Sequence, residues 1–309
     1  GRVTSVAVLF AAATSATVGR GHLNRCIAIS DALQKSGIPT ALYDSDADGI
    51  TDVAGLLPVN FPFLSTQQAA EQFLAEADRS LVFLDDYRYR DGAPVIARPD
   101  NVVAVAMLDD FGETPPDVDM LFRLTRTGMS ELNGDGPLVL AGEHLAPMRP
   151  AFFQARRQRK PDGSLLICLG ASSAGLSATD NILGSLERLG WKKPVNLAVS
   201  LAQDEAQALE HRFPGLRLRV HAGLTDLSSL MASAEKAICS PSVTSYELAT
   251  LDVPMLAVQI ADNQARLAEH LKTTGAARRV EASDLSSADF DAELGDFLRS
   301  KSGSGGSSG

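Results

Sequence analysis

Short apolar runs alternate with stretches of helical period in two successive series. No other feature limits the chain so strongly to a wound α/β fold. In the first series the predicted strands are residues 5–10, 40–43, 80–84, 102–108, 120–124 and 138–141, with helices at 22–34 and 67–77. Ala70, Phe73, Leu74 and Ala77 recur at helical spacing, and Pro99-Asp100 and Pro115-Pro116 punctuate loops. In the second series strands at 165–169, 195–199, 216–220, 236–239 and 255–259 alternate with helices at 181–189, 204–212, 227–234, 246–251 and 263–272. A last helix is predicted within 284–299. Strands separated by helices of this length form parallel sheets with right-handed crossovers. Two Rossmann-like domains facing a cleft are therefore expected. Pro147-Met148-Arg149-Pro150 and Pro161-Asp162-Gly163 bracket the junction, giving domains of residues 1–150 and 151–300. Between them the basic run Arg156-Arg157-Gln158-Arg159-Lys160 reads as a solvated interdomain segment. Residues 301–309, Gly and Ser after Lys301, read as a linker tail from expression.

Composition excludes several classes. A net charge of −10 argues against a generic nucleic-acid binder, which carries a basic face. No apolar run approaches the roughly 20 residues that span a bilayer. The first residues lack the pattern of a signal peptide, so a cytoplasmic protein is expected. Cys26, Cys168 and Cys239 are odd in number and form neither a CxxC pair nor a zinc pattern. They read as buried, reduced side chains.

In wound α/β sheets ligands meet the carboxyl ends of the strands, so residues just after strands are the candidates for chemistry. Gly19-Arg20-Gly21-His22-Leu23-Asn24-Arg25 follows the first strand and opens a helix. The glycines allow close backbone approach. A histidine in the first helical turn lies at the positive end of the macrodipole, which favours neutral imidazole, the form that accepts a proton. A simple capping role is the alternative. Arg25, one turn later, reads as a partner for a carboxylate or a ligand phosphate, or as a surface residue. Leu84-Asp85-Asp86-Tyr87 and Leu108-Asp109-Asp110-Phe111 each end a strand. Their carboxylates are placed to orient His22, to bind sugar hydroxyls or simply to form turns. Tyr87 is placed to stack on a sugar or donate to it. The two pairs lie on different loops with no histidine at ligand spacing, so no metal is expected.

In the second half Gly170-Ala171-Ser172-Ser173-Ala174-Gly175 joins a strand to a helix. Free N–H groups at a helix start suit a pyrophosphate, although a plain flexible turn has the same composition. It is not a P-loop, because no Gly-Lys-Ser/Thr follows. Ser240-Pro241-Ser242-Val243-Thr244-Ser245-Tyr246-Glu247 crowds hydroxyl and N–H groups at another helix start. Glu247 is suited to hold a ribose diol. A capping box with Thr244 as N-cap and Glu247 at N3 is the competing arrangement. Asn263-Gln264 follows the next strand and is placed to reach a substrate across the cleft.

These stretches resemble the UDP-2,4-diacetamido-2,4,6-trideoxy-β-L-altropyranose hydrolase family of pseudaminic acid biosynthesis, which has the glycosyltransferase-B fold and is related to MurG-like transferases. The resemblance rests on GRGHLNRCIAISDAL at 19–33, LDDY at 84–87, LDDFGE at 108–113, GEHLAPMRPAFF at 142–153, ICLGASS at 167–173, SPSVTSYELATLDVPMLAV at 240–258 and NQ at 263–264. The first motif and the 240–264 region are the most specific. The resemblance implies that His22 is the catalytic base, that Tyr87 and Asn263 are its companions in catalysis, and that Glu247 holds the nucleotide ribose. Gly170, Ala171, Ser172, Ser242, Val243 and Thr244 would complete the nucleotide site, and Gly21, Arg25, Asp86, Asp110 and Gln264 the sugar site. The chain departs from the family in two places. Ala11-Ala12-Ala13-Thr14-Ser15 replaces an Arg-x-Asp-x-Ser pattern, and Ser173 replaces the acidic residue of a Gly-Gly-Ser/Thr-Asp turn.

The implied reaction is hydrolysis. His22 takes a proton from a water at the anomeric carbon, UDP leaves from the other face and the product inverts. No cofactor is needed. The implied partners are the UDP-linked diacetamido sugar, UDP as product and other pathway enzymes serving flagellin or surface glycan modification. Two alternatives stand beside it. A transferase of the same fold would pass the sugar to an acceptor hydroxyl, but no apolar and basic acceptor patch is evident. A non-catalytic nucleotide-sugar binding protein would bind without turnover.

Overall fold

The computed structural model describes residues 5–13, 21–44, 57–58, 60–86, 88–89, 98–111, 117–125, 136–170, 172–224 and 226–300. The chain divides into two compact units, Gly1–Met148 and Arg149–Gly309.

The first unit is a parallel sheet with helices on its faces. Its elements are β1 (Val6–Ala12), α1 (Gly21–Lys35), β2 (Thr40–Tyr43), β3 (Phe63–Leu64), α2 (Gln67–Ala75), β4 (Arg79–Asp85), β5 (Val102–Leu108), β6 (Met120–Arg123) and β7 (Leu138–Ala141). The strand order is β3-β2-β1-β4-β5-β6-β7. Strand β1 is apolar throughout because both its faces are covered. Val8, Phe10 and Ala12 pack with Leu23 and Cys26 of α1. Leu9 and Ala11 pack with Ala70 and Leu74 of α2 on the opposite face. The same parity runs through β4, where Phe83 lies on the α1 side and Val82 and Leu84 on the α2 side.

The second unit begins with α3 (Pro150–Arg157) and continues with β8 (Ser164–Cys168), α4 (Ser173–Arg188), β9 (Pro194–Val199), α5 (Gln203–Arg212), β10 (Arg217–Ala222), α6 (Ser228–Ser233) and β11 (Ala234–Cys239). It ends with α7 (Val243–Thr250), β12 (Met255–Gln259), α8 (Ala265–Thr273), β13 (Ala277–Glu281) and α9 (Ala288–Arg299). Its parallel strands run β10-β9-β8-β11-β12-β13. Leu165, Ile167 and Leu197 meet Ile182 and Leu186 of α4 and Phe290 and Leu294 of α9 in one core.

Several details differ from the sequence reading. Residues 150–157, read as part of the junction, form a helix. Pro150 supplies the fixed φ favoured at a first helical position, and Phe152 is fully buried. The basic run behind it is docked rather than wholly solvated: Arg156 pairs with Asp252 at 2.8 Å and Arg159 donates to the Ala234 carbonyl at 3.2 Å. The edge strands β3 and β13 have no counterpart among the predicted strands, and α4 begins eight residues before the predicted helix at 181–189.

Candidate active site

In both sheets the strand order reverses once, between β1 and β4 and between β8 and β11. The crevice beside such a reversal is where open α/β sheets bind ligands. The candidate residues converge on these two places, each within its own unit.

At the first reversal, α1 starts after β1 and carries His22 and Arg25 on its sheet-facing side. They are 4% and 6% exposed, so Arg25 is not a surface residue. Asp85 ends β4 with the same parity as Phe83, which points it to the α1 face. It is completely buried. Its Oδ1 lies 2.5 Å from His22 Nδ1 and 2.5 Å from Arg25 Nη2, and its Oδ2 accepts from Arg25 Nε at 2.8 Å. Burial alone would push its carboxyl up, but Arg25 and His22 hold it below the usual carboxylate range. Arg25 Nη1 donates to Asp110 Oδ2 at 2.9 Å.

The neighbouring carboxylates face other groups. Asp86 has the opposite parity and is held by Arg88, which also donates to Asp44 at 3.0 Å. Asp109 accepts from Arg123 at 2.6 Å. Asp86 and Asp110, read as sugar-facing, thus meet guanidinium groups, which bind carboxylates more strongly than hydroxyls do. Asp85, absent from the expected site residues, and not its neighbour Asp86, is the carboxylate that contacts His22. Counting parity from Phe83 would have separated them. Gly21 is the first residue of α1. Tyr87 lies outside the described residues, as do Gly19 and Arg20.

At the second reversal two loops face the carboxyl edge. Gly170 follows β8 with φ +82°, a conformation other residues resist. Ala171 lies outside the described residues. Ser172 caps α4, its Oγ accepting from Gly175 N at 3.1 Å. Gly175 allows the helix to sit against the strand end, since an added Cβ would lie 2.7 Å from the Leu169 carbonyl oxygen and 2.9 Å from that of Gly170. Gly175→Ala should therefore destabilise the fold by about 1–3 kcal/mol. Urea unfolding would register this as a lower midpoint at unchanged slope.

After β11 the capping box is not formed. Ser242, not Thr244, is the N-cap: its Oγ accepts from Thr244 N at 3.3 Å, and Ser245 Oγ donates back to the Ser242 carbonyl at 2.6 Å. This local serine bonding starts the helix at Val243, two residues early, and removes Glu247 from the N3 position. Glu247 is 7% exposed, and its Oε1 lies 3.6 Å from Arg149 Nη2. Burial pushes its carboxyl up to about 7 against the opposing pull of Arg149. Arg149, 5.1 Å from the Phe152 ring centroid and 4.0 Å from Asp226, was not among the predicted site residues. Its sequence signal is its place in the 142–153 stretch, directly before Pro150.

Asn263 and Gln264 lie in a 3₁₀ turn, Asp262–Gln264, between β12 and α8. Gln264 Oε1 accepts from Ile260 N at 2.9 Å, so part of its carboxamide is engaged at the strand end. His22, Arg25 and Asp85 are thus assembled in the first unit. Glu247, Arg149 and the starts of α4 and α7 belong to the second. Among the described residues no cluster of three or more His, Cys, Asp or Glu side chains is arranged to hold a metal ion.

The two wound parallel sheets define the glycosyltransferase-B class of fold. Among solved structures the chain is similar to Acinetobacter baumannii MurG (TM-score 0.62, 17% identity, 96% of this chain and 91% of that one). It is also similar to the spinosyn rhamnosyltransferase SpnG complexed with thymidine diphosphate (TM-score 0.62, 14% identity, 96% and 92%). A third similar structure is Methanocaldococcus jannaschii UDP-GlcNAc 2-epimerase with UDP-GlcNAc and UDP (TM-score 0.55, 15% identity, 97% and 94%). No family profile and no curated protein matches the chain in sequence. Among the described residues no helix is long and apolar enough to cross a membrane.

Proposed function

We propose that this protein is an enzyme acting on UDP-linked sugars, and that it hydrolyses a UDP-2,4-diacetamido-2,4,6-trideoxyhexose at the anomeric carbon. The observation that carries the reading is the 2.5 Å contact of His22 Nδ1 with fully buried Asp85 at the reversal of the first sheet. With Nδ1 donating to Asp85, Nε2 takes the proton of the attacking water. The new bond forms from the water oxygen to the anomeric carbon, and the bond to the diphosphate oxygen breaks on the opposite face. Asp85 compensates the imidazolium that results. In this scheme Tyr87 and Asn263 assist at the sugar, together with Gly21 and Gln264. Glu247 accepts from the ribose hydroxyls. The N–H groups at the starts of α4 and α7, near Gly170, Ala171, Ser172 and Ser242–Thr244, receive the charge developing on UDP. The structural neighbours support chemistry on nucleotide-activated sugars, since one was solved with UDP-GlcNAc and UDP and another is a rhamnosyltransferase solved with thymidine diphosphate.

A second reading has the support of the transferase among these neighbours. The same histidine would then deprotonate an acceptor hydroxyl. Proton NMR of UDP-2,4-diacetamido sugars mixed with the protein alone distinguishes the two. Hydrolysis gives equimolar UDP and free sugar, with the inverted anomer appearing first. Cleavage that needs an added acceptor identifies a transferase. Saturable binding without cleavage under either condition would overturn both.

A further inference from the structure

Arg25 and Asp110 have no task in the reaction scheme above, yet they form the tightest charged arrangement around its base. Asp85 receives three donors, and two come from Arg25: Nη2 at 2.5 Å and Nε at 2.8 Å. This is the planar fork that binds a carboxylate through both oxygens, which lysine cannot reproduce. The guanidinium is gripped from its other side by Asp110, whose oxygens lie 2.9 and 3.3 Å from Nη1. Arg25 Nη2 also lies 3.0 Å from His22 Nδ1. Both a guanidinium and a protonated Nδ1 are donors, so both must direct hydrogens at the one acceptor between them, Asp85 Oδ1.

We propose that Arg25 and Asp110 are positioning residues: Asp110 anchors the guanidinium, the guanidinium fixes the plane of the Asp85 carboxylate, and that carboxylate holds His22 in its Nδ1–H tautomer. In that tautomer Nε2 carries the lone pair of the ring. Without the fork, Asp85 would keep one of its three donors, the imidazole itself. Its carboxylate would turn, and the ring would exchange between tautomers. This deepens the assignment of His22 as base and rests on it for the catalytic consequence, although the tautomer itself is observable without any substrate.

The test is a nitrogen-15 spectrum of histidine-labelled protein in alkaline buffer. The chain has five histidines, and loss of one signal set in His22→Gln assigns the relevant ring. Wild-type protein should show His22 as a single Nδ1–H tautomer. Arg25→Lys should give averaged shifts of a tautomer mixture, and Asp110→Asn a smaller change in the same direction. With a cleaved sugar nucleotide, kcat should fall about 10–100-fold in Arg25→Lys while KM changes little. Unchanged His22 shifts in both variants would overturn the proposal, as would a rise in KM with kcat intact, which would make Arg25 a substrate contact. If Arg25→Lys does not fold, Asp110→Asn decides alone, because it loosens the anchor of the guanidinium while keeping Arg25 and Asp85. If no sugar nucleotide is cleaved, the hydrolase reading fails while the spectra still decide this one.

Discussion

Asp85→Asn should lower kcat by about 10³- to 10⁴-fold while leaving UDP affinity nearly unchanged. The substitution keeps the shape of the side chain and removes its charge. The asparagine amide can turn its NH₂ toward Nδ1, which places the histidine proton on Nε2 and removes the base. The same exchange beside the histidine of a Ser-His-Asp triad costs about 10⁴-fold for this reason. His22→Ala should remove turnover altogether. Both variants leave the second unit, where Glu247 lies, untouched, so calorimetry with UDP is the control. A rate for Asp85→Asn within tenfold of wild type would refute the role of His22 as base. Asp85→Ala should also cost about 3–5 kcal/mol of stability, because Arg25 would lose a buried carboxylate. The pH dependence follows from the depressed carboxyl. Its stabilising contribution is present above the unfolded value of about 3.9 and is lost only as the pH falls below it.

The second large effect belongs to Glu247, and its sign is opposite. Burial raises this carboxyl from 4.5 to about 7. Between those values the folded protein binds a proton that the unfolded chain has released. Stability attributable to this group is complete below pH 4.5 and falls by about 3 kcal/mol as the pH rises through 7. Urea denaturation across that range should show the decline, and Glu247→Gln should flatten it. UDP binding should run the other way, since ribose hydroxyls donate to the carboxylate and not to the acid. Affinity should climb from pH 6 to pH 8 in the wild type beyond the change seen in Glu247→Gln. The variant should bind UDP about 10- to 100-fold more weakly at pH 8, the loss expected for one or two charge-assisted hydrogen bonds. Parallel pH profiles for the two proteins would count against the ribose assignment.

Much of the architecture is legible in the sequence because buried parallel strands must be apolar on both faces. Strands β1, β4, β5, β8 and β12 are such strands, and their sequence-predicted bounds lie within a residue or two of those observed. What escapes is local. Strand β13 lies at a sheet edge and carries Arg278, Arg279 and Glu281, which hide its period. The first turns of α4 are built of Ser, Ala, Gly and Thr, whose composition is that of a loop. The start of α7 depends on whether Ser242 or Thr244 caps it, a competition among hydroxyls that composition does not rank. The site follows the same division. His22 was visible from its flanking glycines and its place after a strand. The partner of the Asp85-Asp86 pair was not, because the choice is made by which sheet face carries α1. Arg149 lies in the 142–153 stretch, but nothing there marks it as the neighbour of Glu247, which is distant along the chain.

The alternation of side chains along β4 has a consequence for how such a protein can change. Asp85 reaches α1 because it ends an odd-even count that starts in the core, where Phe83 is fixed by packing. The loop that follows β4 can gain or lose residues without re-aiming this carboxylate. Under the proposed function the base is thereby insulated from changes in that loop, which can be redesigned while His22 and Asp85 stay in register. Conversely, a single-residue insertion inside β4 would put Leu84 where Asp85 stands and break the contact with His22 while leaving both residues present in the sequence.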